Sequence, residues 1–148
     1  MKPNRKNSKI PSTLISDPLS PGAMPHTSSL PPTFDPALSP GAHNAIQVCL
    51  QLQANERITL ITDRASAEIA AALVFEIEKT GANCSVLVLE EFGPRPHRDM
   101  PPAVLADLAQ SQVSIYACIT QTGELRTRMQ MMDVINPRRI RHGHMVNI

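Results

Sequence analysis

Two histidines set two residues apart, His142 and His144, are the most chemically suggestive pair in the chain. Alternate residues of an extended strand share one face, so this spacing could present two imidazoles to a divalent metal ion. A mononuclear site needs a third ligand, and His97 or Glu91 would have to come from a loop that nothing in the sequence fixes in distance. The competing expectation is a pair of solvated or hydrogen-bonded histidines at a strand exit. Arg95, His97 and Arg98, with Arg126 and Arg128, could form a cationic lip for a carboxylate or an acidic partner, or a solvated loop and helix start. Asp63 stands between a β-branched run and a helical pattern, where it could orient a substrate amine or serve as a helix cap or Asx-turn. The neighbouring stretch TDRASA lacks the glycines and lysine of phosphate-binding loops, which argues against a nucleotide site. Glu90 and Glu91 are adjacent and would point to opposite faces of an extended chain, so they are no acid–base pair. No cysteine or serine has local support as a nucleophile, and Cys49 in an apolar helix stripe reads as packing.

The elements that must position these groups follow from apolar periodicity. Residues 57–62, RITLIT, read as a strand, and a helix follows that buries Ile69, Ala70, Leu73, Val74 and Ile77 before Gly81 stops it. Continuous apolar runs at 84–89 and 113–119 suit strands covered on both faces of a parallel sheet. Ser39 and Pro40 read as the N-cap and first residue of a helix ending near Gln53. Pro101 and Pro102 open a further helix burying Val104, Leu105 and Leu108. The next is expected to bury Leu125, Met129 and Met132, with Ile135 at its edge, before Asn136 and Pro137 break it. Residues from 138 onward form the last strand. Strands alternating with helices imply right-handed crossovers and an α/β fold: a Rossmann-like three-layer αβα sandwich on a four-stranded parallel sheet. Strand orders 3-2-1-4 and 2-1-3-4 are both open. Ligands of such sheets sit beyond the carboxyl ends of the strands, which selects Asp63, the loop 90–98, the segment 120–124 with Thr120, and residues 142–148.

Nine of the fourteen prolines lie within residues 1–40, so residues 1–38 are expected to be a disordered Pro/Ser-rich tail and 39–148 the folded domain. A net charge of +1 gives no field favouring nucleic acid or an anionic membrane surface. Three widely spaced cysteines in apolar surroundings suit buried reduced thiols and a cytoplasmic location. Phe75 falls on the helix face opposite the buried stripe and could mark contact with another subunit, as in a homodimer, or with a further domain.

The segments GAHNAIQVCLQLQ, ERITLITDRASAEIAAALVFEIEKTGA, GPRPHRDMPPAV, TQTGELRTRMQM and RHGHMVNI, in this order and spacing, resemble the amino-terminal part of the aminopeptidase T-like (M29) metallo-aminopeptidases over residues 41–148. That resemblance implies removal of amino-terminal residues from peptides, with two divalent ions of the zinc or cobalt type activating a water. The ligands of those ions belong to the family's carboxy-terminal domain, so no residue here inherits a catalytic role, no cofactor is expected in this chain, and the expected partner is that domain or a chain carrying it. A standalone α/β module binding a small molecule or protein, and a fragment of a related hydroxypyridine ring-cleaving dioxygenase, are the alternatives.

Overall fold

The computed structural model describes residues 29–146. Four parallel strands, β1 (Arg57–Thr62), β2 (Asn83–Val88), β3 (Val113–Cys118) and β4 (Arg141–Val146), form one sheet in the order β2-β1-β3-β4. This is the second of the two orders left open by the sequence, and the helices between the strands make an α/β fold. β1 and β3 are the inner strands, and β3 is buried throughout. Their side chains divide by parity. Ile58, Leu60, Val113, Ile115 and Ala117 enter a core under the first two helices, and Ile61, Tyr116 and Cys118 enter a second core under the last two. Continuous apolar runs are therefore what this sheet requires, because each alternate residue meets a different layer.

The helices are α1 (Ser39–His43), which continues as a π-helical stretch (Asn44–Cys49), α2 (Ala67–Thr80), α3 (Pro102–Leu108) and α4 (Leu125–Arg138). α2 ends at Gly81, whose φ of 78° lies in the left-handed region and whose N–H reaches the Glu78 carbonyl. Glycine is favoured there by backbone conformation rather than space, since an added Cβ would meet only Ala54 Cβ at 3.9 Å. At the other end of the sheet, Arg141 forks onto both oxygens of Glu56 at 2.9 and 2.5 Å and donates to the Leu50 carbonyl at 3.0 Å. This clips the start of β4 to the loop preceding β1. No helix among the described residues is long and apolar enough to cross a membrane.

Several sequence expectations change in detail. Residues 29–38 are packed structure rather than tail: Leu30, Phe34 and Leu38 lie against the first core. The first helical turn is a 3-10 turn (Pro36–Leu38) capped by Asp35, whose carboxylate accepts from the Ala37 N–H at 2.9 Å. The cap is thus Asp35 and not Ser39. Phe75 is 47% exposed, and Phe34 packs edge-on against it with centroids 5.7 Å apart while Lys79 Nζ lies 4.3 Å from its ring. The chain's own amino-terminal segment covers it in part. Residues 1–28 and the last two residues of the expected strand exit lie outside the described residues.

α4 differs most. It buries Thr127, Met131 and Ile135, while Leu125 and Met129 are 62% and 59% exposed. Pro137 lies inside its last turn, and the helix ends at Arg139 with φ of 54°. Proline there lacks the N–H that would reach the Asp133 carbonyl, and the helix closes one residue later. Cys49 is exposed rather than buried, Cys84 half-buried and Cys118 buried.

Candidate functional site at the strand ends

The carboxyl ends of the strands carry a closed polar network built around Arg95. β1 delivers Asp63, fully buried, immediately after its last residue. Its Oδ1 accepts from the Ser66 N–H at 2.8 Å, fixing the turn into α2, and its Oδ2 accepts from the Ile119 N–H at 2.7 Å, tying β1 to the exit of β3. Asp63 therefore closes the turn ahead of α2, whose N-cap residue is Ser66, and it is also a cross-strand tie. The loop after β2 supplies Arg95, whose side chain is only 3% exposed. Its guanidinium donates from Nη1 to Asp63 Oδ2 at 2.5 Å, from Nε and Nη2 to the two oxygens of Glu124 at 2.9 and 2.5 Å, and from Nη2 to the Ile119 carbonyl at 2.8 Å.

Glu124, buried just before α4, completes the set. Burial would raise its carboxyl, but hydrogen bonds from Arg95 and from the His97 N–H at 3.1 Å outweigh that and hold it below the ordinary carboxylate range. Hydrogen bonding to Glu124 first, then to Asp63, raises the guanidinium's proton affinity against the opposing effect of burial. His97 Nε2 stands 3.0 Å from the Leu89 carbonyl, and since a carbonyl only accepts, that nitrogen carries the proton. Glu90 borders the network: its Oε2 accepts from the Arg64 N–H at 3.1 Å and its Oε1 lies 3.6 Å from Arg95 Nη1. One guanidinium thus joins the loops after β1, β2 and β3 through a planar fork that a point-charge lysine could not reproduce.

Asp63, Arg95 and His97 are brought together, and half-buried Thr120 follows Ile119 at the rim. Exposed Arg126 is not part of the set; it pairs with Asp99 at 2.6 Å on the outer side of α4. His142 and His144 also lie apart, within β4 beside Ser114 and Tyr116 of β3. Ser114 Oγ is 2.8 Å from His142 Nδ1, His142 Nε2 is 3.2 Å from His144 Nδ1, and His144 stacks on the Tyr116 ring at 5.3 Å. Burial first, and then His144, lower the proton affinity of His142 so that it titrates near about 4. Burial and Arg128 lower that of His144. Among the described residues no group of three or more His, Cys, Asp or Glu side chains could hold a metal ion.

Sequence reasoning overlooked Glu124 as a site residue and weighed Glu90 only against Glu91. The available signal for Glu124 was its place at the head of a helix after a strand-end segment, where a carboxylate is favoured. A second, half-buried polar cluster lies beneath α3: Asp107 accepts from Thr59 Oγ1 at 2.6 Å, Ser85 Oγ at 3.0 Å and Arg57 Nη2 at 2.5 Å.

No family model and no curated protein matches this sequence. Among solved structures, the chain is similar to wild-type AmpT from Thermus thermophilus, with 14% identity and a TM-score of 0.46. The match covers 74% of this chain and 34% of that one, so the chain spans about a third of that protein's length.

Proposed function

We propose that residues 39–148 are the scaffold domain of a metal-dependent aminopeptidase-like protein, forming a wall of its substrate cleft while the reacting groups come from elsewhere in the assembly. The reaction class rests on the resemblance of the five sequence segments to the aminopeptidase T-like family. The scaffold role rests on one observation: the strand-end groups are saturated by one another, with Arg95 at 3% exposure spent on two carboxylates and a carbonyl. A general base or nucleophile needs a free lone pair within reach of substrate. Asp63 and Glu124 instead hold backbone. Asp63 fixes the Ile119 N–H and Glu124 the His97 N–H, so the rim presents loops in set positions. Two divalent ions, where the family has them, would supply an activated water. The described residues offer no ligand set for them, and no step is assigned to this chain through them.

The test is turnover of leucyl-p-nitroanilide. The purified 148-residue chain, loaded with zinc or cobalt, should give no chelator-sensitive release, and sustained release by the chain alone refutes the scaffold role. A longer product of the same locus carrying a Glu- and His-rich domain should release nitroaniline, and its failure refutes the peptidase class. A protein-binding role is favoured independently by the exposed apolar groups of α4.

A further inference from the structure

His142 and His144 share one face of β4, and their rings meet: His142 Nε2 and His144 Nδ1 stand 3.2 Å apart. Two nitrogens bound to one first-row ion at about 2.0–2.1 Å, with an angle of about 90–110° between them, lie about 2.9–3.4 Å from each other. The pair is thus set at the bite of a shared ion. β3 holds both rings from behind. Buried Ser114 Oγ is 2.8 Å from His142 Nδ1, which leaves Nε2 as the nitrogen that faces His144. The Tyr116 ring stacks on His144 at 5.3 Å with the planes 15° apart. Metal-bound imidazoles are oriented in the same way, through the ring nitrogen that does not bind. His144 is exposed, so an ion can reach the pair from solvent.

The third donor identifies the ion. Among the described residues no cysteine, aspartate or glutamate joins the two histidines in a ligand set. Thioethers do lie alongside: Met129 and Met132 of α4 line the same open depression of about 350 Å3 as His144. Imidazole suits copper among other first-row ions, and thioether sulfur selects its monovalent form. Arg128 and Asp133 border the depression as one charge of each sign, so its field does not turn away a singly charged ion. We infer that His142 and His144 form a copper(I) site, with a thioether of Met129 or Met132 as the third ligand and Ser114 as the positioning residue behind His142. In the neutral, metal-free pair one proton lies between the two facing nitrogens. Copper takes its place, and that proton moves to the other nitrogen of the same ring, so none is released. The site is separate from the paired divalent ions of the aminopeptidase reading, and its test does not depend on that reading.

Anaerobic titration of the full 148-residue chain with copper(I), in competition with the chromogenic chelator bicinchoninate, tests this. The titration uses a Cys49→Ser background, which removes the exposed thiol that would compete for the ion. One ion per chain should be held, and held at least tenfold more weakly by His142→Gln, by His144→Gln and by Met129→Leu/Met132→Leu. Zinc, which does not favour thioethers, should be weakened by the histidine variants alone. The variants should keep the parent's circular dichroism spectrum, because His144 and Met129 are exposed. On the unmutated site, copper(I) should shift the methyl NMR signal of Met129 or Met132, a readout that stands even where a variant fails to fold. Affinity equal to the parent's in any of the three variants would overturn the proposal. So would methyl shifts confined to other methionines, or a chain that retains no copper against the chelator. One ion per two chains would overturn it as well, since a second copy would then complete the coordination.

Discussion

Removing the Arg95 side chain is the sharpest test of the strand-end network. Arg95→Met keeps much of the aliphatic volume but leaves Asp63 and Glu124, fully buried and 1% exposed respectively, without their shared cation. Breaking a buried ion pair by deleting one partner costs about 3–5 kcal/mol, because the remaining charge stays desolvated. Here two carboxylates are stranded, although Asp63 keeps the backbone N–H groups of Ser66 and Ile119 and Glu124 keeps that of His97. The expected loss at pH 7 therefore remains in that range of about 3–5 kcal/mol rather than doubling. The pH dependence supplies the decisive signature. In the parent, the Glu124 carboxyl titrates below its ordinary range, so its contribution is complete above the unfolded carboxylate pKa and is lost as pH falls through the lowered folded value. In Arg95→Met, the hydrogen bond and charge that chiefly oppose burial at Glu124 are gone and only the His97 N–H remains, so its carboxyl takes up protons more readily than in the parent. The variant's deficit should consequently shrink as pH falls from 7 into the carboxylate range. Urea unfolding followed by circular dichroism at pH 7 and at pH 4.5 measures both effects. A deficit below about 1 kcal/mol, the level of an exposed ion pair, or one that is the same at both pH values, refutes the claim that two buried carboxylates depend on this guanidinium. Arg126→Met, which breaks the exposed pair with Asp99, is the control and should leave the unfolding midpoint in place.

Three further outcomes are expected. Phe34 and Phe75 should be coupled: a double-mutant cycle with alanine at both positions should give an interaction of about 0.5–1.5 kcal/mol, and strict additivity would show that residues 29–38 do not dock as described. Cys49 alone should be alkylated by iodoacetamide in the native protein, with Cys84 and Cys118 labelled only after unfolding, as read by mass spectrometry; burial pushes the Cys84 thiol up to about 12 and the Cys118 thiol above its usual value. His142 should titrate near about 4 by NMR, well below the ordinary histidine value; the unfolded state then binds the extra proton first, so stability should fall as pH drops from about 6.5 towards about 4, and His142→Gln should flatten that slope.

Much of the fold was legible because its strands obey a simple rule. A strand covered on both faces is mainly apolar or β-branched, and β1 and β3 follow that pattern with Thr59, Thr62 and Ser114 as hydrogen-bonded polar members, so their limits could be set within a residue of those observed. α4 was not legible for an equally physical reason. LRTRMQMMDVINPR contains two stripes at helical spacing, Leu125-Met129-Met132 and Thr127-Met131-Ile135, and the first is the more apolar. The second is buried because Thr127 satisfies its hydroxyl locally on the Glu124 carbonyl at 2.6 Å, which lets a polar residue enter the core. Periodicity gives the pitch of a buried stripe, while its phase depends on what the helix sits against. Similarly, Asp63 was found at the strand end by position. Its partners Arg95 and Glu124 come from loops 32 and 61 residues further along, which local pattern cannot place.

The two polar centres of the sheet face show why saturation and exposure point to different roles. Asp107 binds three donors beneath α3, and Asp63 and Glu124 share one guanidinium at the rim. Arg57 Nε is buried without a partner in the first and Ser66 Oγ beside the second, but the ion pairs within each still favour one arrangement of loops, because any other leaves charges desolvated. Among the described residues the buried side-chain nitrogens and oxygens without a hydrogen-bond partner are Arg57 Nε, Ser66 Oγ and Arg128 Nε, one beside each polar centre and one on α4. A domain whose strand-end carboxylates share one buried guanidinium is organised to hold its loops still. Arg95→Met should therefore lower stability, whereas Arg128→Gln, which removes a guanidinium whose Nε has no partner, should leave the unfolding midpoint unchanged.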